Sequence, residues 1–398
     1  MCLQFFVYTS VYPFTAPAKS PTLELNLITF NPKTIMLNTL FDWFDNIQLY
    51  FIRLIKLYHV QTLKDKGIIW SIGLLIMTLL VVWLILGYLW SREPAHFNVS
   101  EQTQLTIEKI NSKAGKHYKK VVGAMTTATV IHITETLLNK PGGYLSNDVM
   151  PPGVLLDNIP NWEHGVLVQV RDMARVLRND FSMAQSTSTE DKDLSLAEPA
   201  FNNDSKKWMW PSSESKYQDG INYLYGYLGR IVDAEKQNAQ FFARADNLVD
   251  WLQVVGKRLG SLSQRLSASV GQERVNTDLA GDAQAQQATY SPDNLVVKTS
   301  WFEIDDIFYE ARGTAWALVH LLYAIEHDFN PVLKKKNAQL SLRQIIRELE
   351  ATQDSIWSPV ILNGSGFGMT ANHSLVMASY ISRANTAIID LKRLLKDG

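Results

Sequence analysis

The sequence predicts an all-α protein: an N-terminal amphipathic helix, one transmembrane helix, and an elongated helical-bundle domain with one very long helix. Three observations carry that prediction. Residues 67–90, GIIWSIGLLIMTLLVVWLILGYLW, hold no Asp, Glu, Lys, Arg or His over 24 positions. Through most of the remainder, apolar residues recur at the three- and four-residue steps of a helix face. Nowhere is the two-residue alternation of a half-buried strand sustained.

Residues 1–35 are apolar, turn-rich (Pro13, Pro17, Pro21, Pro32) and without helical period. They read as a gene-model extension ahead of a start at Met36, or as a disordered leader. Within 36–66, a stripe from Leu40 to Tyr58 runs through Phe44, Ile47, Phe51, Leu54 and Ile55, with Arg53 and Lys56 off it. Beside a membrane span, such a helix is expected to lie in the cytoplasmic interface, or to pack on a partner's transmembrane helix.

The run 67–90 is long enough, at roughly 36 Å as a helix, to cross a hydrocarbon core of about 30 Å. Lys64, Asp65 and Lys66 precede it and Arg92 and Glu93 follow. Trp70, Tyr88 and Trp90 sit near its ends, where amphipathic rings favour the headgroup layer. Arg53, Lys56, Lys64 and Lys66 lie within 20 residues before it, against Arg92 and Lys109 after it. That bias predicts a cytoplasmic N-terminus and a periplasmic C-terminal domain, although Lys113, Lys116, Lys119 and Lys120 further on weaken it. The run stands too far from Met1 for a cleaved signal peptide, so it reads as a signal anchor in an inner membrane.

From about Asn98 to Gly398 the chain is long enough for a large helical domain with its own core. Irregular stretches interrupt it near 141–162, 182–213 and 271–294, rich in Pro and Gly or in small polar residues. Helices are expected over about 100–140, 162–181, 300–329, 341–357 and 370–396. Ser300-Trp-Phe-Glu303 and Ser341-Leu-Arg-Gln344 read as capping boxes. The longest periodic signal is a strict three-four stripe from Ile221 to Leu266, through Leu224, Leu228, Leu252 and Leu259, with Glu235, Asn238, Gly256 and Ser263 as exceptions. It predicts a single helix of about 75 Å that needs a long partner, from the same chain or from another subunit, whether a protein partner or a second copy.

A net charge of −1 gives no electrostatic footprint for nucleic acid. The one cysteine, Cys2, excludes an internal disulfide and a multi-cysteine metal site. The best candidate for chemistry is the Pro/Gly-rich stretch with the helix behind it, offering Asn147, Asp148, Asp157, Trp162, Glu163 and Arg171, with Asn158, His164 and Asp172 nearby. Carboxylates and an arginine on a loop beside a helix start could bind a polar ligand or move a proton. The same residue types are also what turns and N-caps require. A second cluster, Glu303, Asp305, Asp306 and Glu310 with His320 and His327, lacks metal-ligand spacing, since Glu310 and His320 stand about 15 Å apart along a helix. The turn 364–368, Gly-Ser-Gly-Phe-Gly, has neither the preceding strand nor the following Lys-Ser/Thr of a nucleotide loop. No metal and no cofactor are expected. Tyr217, Tyr223, Tyr225, Tyr227, Trp208 and Trp210 are expected in the core rather than on a ligand surface.

The run from Asn139, NKPGGYLSNDVMPPGVLLDNIPNWEHGVLVQVRDMARVLRNDFS, with STEDKDLSLAE after it, resembles a family of proteobacterial inner-membrane proteins catalogued only as a domain of unknown function. The resemblance extends from about Met36 onward and implies a single-pass membrane protein, with no catalytic residues to carry over. The expected function is a membrane-anchored envelope scaffold or adaptor. The alternative is a periplasmic enzyme or binding protein acting on an envelope glycan or lipid through the 141–163 loop.

Overall fold

A computed structural model describes residues 48–397, apart from positions 50, 51, 54, 116–119, 185–188, 234–237, 277–291, 293, 359, 366 and 367. The expectation for residues 1–35 lies outside the described residues. The chain divides into two compact units, Met1–Thr78 and Leu79–Gly398.

In the first unit, positions 48–49, 52–53 and 55–57 are helical, and Leu49, Ile52, Ile55 and Tyr58 are exposed. A separate short helix, α1 (Val60–Lys66), is capped by the His59 ring, which accepts from Gln61 N–H. Gly67, at φ 85°, ends α1 in a conformation that favours glycine. The chain then enters α2 (Ile68–Trp90), 23 residues of which none is buried. By length and composition α2 can cross a membrane. Its hydroxyls are satisfied within the helix, Ser71 Oγ donating to Gly67 O at 3.0 Å and Thr78 Oγ1 to Leu74 O at 2.7 Å, as a lipid environment requires.

The second unit is all-α apart from one short hairpin. Asn98 opens α3 (Val99–Ala114), its Oδ1 accepting from Ser100 and Glu101 N–H at 3.0 and 3.2 Å. Then come α4 (Ala124–Asn139), α5 (Asn158–Val176) with a π-helical end at Leu177–Phe181, and α6 (Leu194–Phe201). Next are α7 (Ser213–Val232) and α8 (Ala245–Ser267). Strands β1 (Gln272–Val275) and β2 (Asn294–Val297) pair antiparallel, with Gln272 opposite Val297. The chain closes with α9 (Ile304–Asp328), α10 (Asn330–Lys335), α11 (Gln339–Ala351) and α12 (His373–Asp397).

Helix α9 is the core of this unit: every residue from Ala311 to Leu322 is buried, as befits a helix covered on all sides. It packs most extensively on α5, and α4 and α11 also lie against it. The close approach of α5 and α9 needs glycine on both. A Cβ at Gly313 would lie 2.0 Å from Trp162 O, and one at Gly165 would lie 2.1 Å from Glu310 O. The two run in the same direction, since Asn161 reaches Asp306 near their starts and Phe181 meets Phe329 past their ends.

The all-α class holds, but the single long helix does not. Its stripe is divided between α7, which ends at Val232, and α8, which begins at Ala245; the described residues between them, 233 and 238–244, are not helical. One of the polar exceptions, Asn238, falls there. There the backbone serves side chains: Arg230 Nη1 donates to Asn238 O at 3.0 Å and Tyr227 Oη to Gln240 O at 2.7 Å. Phe242 N–H bonds Phe181 O at 2.7 Å, and the Phe241 ring occupies the space that a Cβ at Gly123 would need. The stripe residues Ile221, Leu224, Leu228, Leu252 and Leu259 are fully buried by helices of the same chain, so they offer no apolar face to another subunit. Both capping boxes also fail. Ser300 precedes a 3₁₀ turn without a side-chain cap bond, and Ser341 lies inside α11. The stretch 182–213 was expected to be irregular throughout, yet it contains α6, whose burial of Leu194, Ala197 and Phe201 outweighs its polar composition.

Candidate functional site

The residues singled out on the 141–163 stretch converge, and each is engaged in holding the fold. Glu163 is fully buried and accepts from Leu145 N–H at 2.8 Å, Ser146 N–H at 2.8 Å and Ser146 Oγ at 2.5 Å. The ammonium of Lys140, its side chain 1% exposed, lies 2.5 Å from the same carboxylate. Asn147 Nδ2 donates to Lys207 O at 3.0 Å and to Glu214 at 2.9 Å. Asp157 caps α5 by accepting from Asn158 N–H at 2.9 Å. Trp162 is buried against Trp316, ring centroids 5.2 Å apart. Arg171 closes the end of α6, donating to Phe201 O and Asn203 O at 2.8 and 2.7 Å. Asp148 stands over Gly153, where a Cβ would meet its carboxylate. Burial and the charges of Glu163 and Glu214 raise its pKa.

This stretch is the seat of α2. Trp90, in the last turn of α2, lies on Gly142: a Cβ there would be 2.7 Å from the indole, and Gly142 adopts φ 90°. One turn earlier, a Cβ at Gly87 would touch Pro152 and Leu156 at 3.7 and 4.0 Å. The segment after α2 is clamped as well. Glu93 accepts from Arg312 Nε at 2.7 Å and Nη2 at 2.6 Å, while Arg312 Nη1 donates to Thr352 O and Asp354 O. Phe97 N–H donates to His320 Nε2 at 3.2 Å, which leaves the imidazole proton on Nδ1 to reach Trp316 O at 2.7 Å. Burial lowers His320 to about 3, and lowers the pKa of neighbouring His96 and His132 too. Sequence reasoning missed this joint, because its partners stand more than 200 residues apart.

Two cavities are of a size to take a ligand, the first of them bordering the Arg312 clamp. One of about 600 Å³ is largely apolar, lined by Phe308, Trp357, Met377 and Tyr380 among others. The other, about 490 Å³, lies between α5, α8 and α9 and is basic. Arg175, Lys257, Arg258 and Arg265 line it, with His164, Gln169 and Glu310. Arg258 is bonded to Asp172 at 2.8 Å and Arg265 to Glu310 at 2.7 Å, so four cations face two carboxylates. Gln169, 2% exposed, lines the cavity with its amide nitrogen unpartnered. An unmet buried donor among excess cations suits an anion. Of these residues, only His164 belongs to the 141–163 stretch or its immediate helix start as read from sequence. The signal available was the neighbouring pair Lys257 and Arg258 with Arg265 one heptad on, on the polar side of the α8 stripe.

The acidic group forms differently than its spacing suggested. Glu310 is taken up by Arg265, and Asp306 accepts from Asn161 at 2.7 Å. Burial and the neighbouring Asp305 and Asp157 push Asp306 up to about 6. Among the described residues, no three of His, Cys, Asp and Glu are arranged to hold a metal ion.

The Tyr217 and Tyr227 rings are in the core as expected, whereas Trp208 and Trp210 are exposed.

Comparison with known proteins places these features in a family without a described activity. No curated protein and no solved structure matches the chain. The model of a family described as an uncharacterized protein conserved in bacteria, DUF2333, matches residues 63–398. That span takes in α2, its seat and every helix after it, and the chain therefore belongs to the DUF2333 family of bacterial proteins.

Proposed function

We propose that this chain is a single-pass inner-membrane protein that holds its helical domain in the periplasm and binds an anionic envelope component in the basic cavity. The anchor reading rests on α2, uncharged and unburied over its whole length, and the orientation on the excess of Lys and Arg before it. The observation that carries the binding reading is the unpartnered amide of buried Gln169 among Arg175, Lys257, Arg258 and Arg265. Desolvation and the cations of Arg171, Arg265 and Arg258 keep His164 at the cavity mouth below its ordinary pKa, so it acts there as a neutral hydrogen-bonding group. Most polar groups of the 141–163 stretch are already bonded within the fold, and the cavity is the ligand site of this reading.

The test is calorimetric titration of the detergent-solubilised protein with inorganic pyrophosphate and with citrate. Saturable binding of either is expected, weakened about tenfold by Lys257→Gln, the equivalent of about 1.4 kcal/mol. Absence of saturable binding by both at millimolar concentration sinks the reading. Alkaline phosphatase fused to Gly398 tests orientation separately: an inactive fusion puts the domain in the cytoplasm.

A second reading, a non-enzymatic envelope scaffold, is favoured by the joint. Trp90, Glu93 and Phe97 are each fixed to the domain, so the end of α2 is joined to it without a free linker. A flexible insertion between Arg92 and Glu93 that leaves ligand binding intact but abolishes function in cells would favour the scaffold.

A further inference from the structure

The loops beside the end of α2 carry large apolar side chains that stand exposed among the described residues. In the turn 149–155, Met150 is 73% exposed and Leu155 71%. In the neighbouring turn, Trp208, Met209 and Trp210 are exposed, Trp210 by 89%. The two turns are bonded side by side, since Asn147 Nδ2 donates to Lys207 O at 3.0 Å and Tyr144 Oη to Ser205 O at 3.1 Å. The first is closed by its own backbone, Val154 N–H bonding Met150 O at 3.1 Å and Leu155 N–H bonding Pro152 O at 2.9 Å, and the second is braced by Ser213 Oγ, which donates to Asp204 O at 2.6 Å.

The height of the first turn relative to α2 is set by contact, and the second is bonded to its flank. Pro152 and Leu156 flank Gly87, and Gly142 flanks Trp90. Three residues of helix separate those contacts, about 4.5 Å. The 149–155 turn therefore lies alongside the last turn of α2, at the depth where Tyr88 and Trp90 end the apolar run. Apolar and aromatic side chains on that level meet the headgroup and upper acyl region rather than bulk water.

We propose that the turns 149–155 and 208–210 form an apolar foot that inserts into the outer leaflet around the exit of α2 and seats the domain on the bilayer. This rests on the membrane-anchor reading. The occupant is lipid because the patch is continuous with a helix end that is itself lipid-facing. The foot explains why turns with so little internal packing are built so firmly, and why two tryptophans expected in a core lie on the surface. Together with the clamped segment 93–97, it gives the domain a fixed tilt on the membrane.

The experiment is spin labelling of the full-length protein in phospholipid vesicles. On a Cys2→Ser background, single cysteines are placed by Leu155→Cys and Trp210→Cys, with Leu80→Cys in α2 and Asp390→Cys on exposed α12 as references. Collision rates with oxygen, which partitions into lipid, and with a water-soluble nickel complex are measured. The oxygen-to-nickel ratio at 155 and 210 is expected to be several-fold above that at 390 and to approach that at 80. A water-like ratio at 155 and 210 with a lipid-like ratio at 80 overturns the foot and leaves the anchor standing. A water-like ratio at 80 as well overturns the anchor, and the foot with it. Shielding of 155 and 210 from both reagents means protein contact, and also overturns the proposal.

Discussion

Glu163→Gln separates a structural carboxylate from a chemical one. In the folded protein its two oxygens accept from two backbone amides, one hydroxyl and the Lys140 ammonium, all away from water. The amide of glutamine offers one acceptor oxygen and turns N–H groups toward donors that already point inward. It also leaves the Lys140 charge, 1% exposed, with no counter-ion. Breaking one side of a buried pair costs about 3–5 kcal/mol. For a domain of this size that is a fall in melting temperature of roughly 4–8 °C. The assay is thermal unfolding followed by circular dichroism at pH 7.5, beside Lys140→Met and the double variant. The double variant removes the stranded charge, so it should recover about 2 kcal/mol relative to the sum of the singles. A melting point within about 2 °C of wild type for Glu163→Gln would refute the reasoning. If that variant also lost ligand binding, Glu163 would return to the list of groups that act on a ligand.

Three further outcomes follow from the same geometry. Gly313→Ala, at an ordinary helix position, would stabilise by about 1 kcal/mol. Here the new methyl meets Trp162 O, so a loss of about 1–3 kcal/mol is expected in urea titration, and any gain in stability would refute the close helix crossing. His320, lowered to about 3, should stay neutral in the folded state down to about pH 4. Because the unfolded chain takes up that proton near pH 6.5 and the folded one does not, its contribution is intact above 6.5 and is lost as pH falls toward 3, by about 2 kcal/mol at pH 5. An imidazole NMR midpoint near 6.5 would contradict its burial. Gly142→Ala should loosen the seat of α2, through both its positive φ and the Trp90 ring. Faster tryptic cleavage at Arg92 reports it, and an unchanged rate would mean that the ring is not held there.

Much of the architecture was legible because it is local. An uncharged run announces α2, and the Asn98 and Asp157 caps and the Gly67 break are written in a few adjacent residues each. The 221–266 stripe shows the limit of that reading. Its period correctly marked the inward faces of α7 and α8, but a period does not say where a helix stops. The stop depends on Phe241 filling the space above Gly123 and on Arg230 and Tyr227 capturing backbone oxygens between the helices. Likewise, Glu163 and Arg171 carry the residue types of a binding loop. Only their partners make clear that both Glu163 oxygens and the Arg171 Nε and Nη2 groups are already spent on the fold.

The sequence by itself determined the class of the fold, a helix long and apolar enough to cross a membrane, and the bacterial family, because hydrophobic period and length act over neighbouring residues. The tertiary structure decided where function can reside. Helix packing brings Lys257, Arg258 and Arg265 of α8 beside Gln169 of α5, and brings Arg312 and His320 to the segment after α2. It also turns Trp208 and Trp210 outward. Such juxtapositions join residues tens to hundreds of positions apart, and they are set by which helix faces bury against each other rather than by any spacing along the chain.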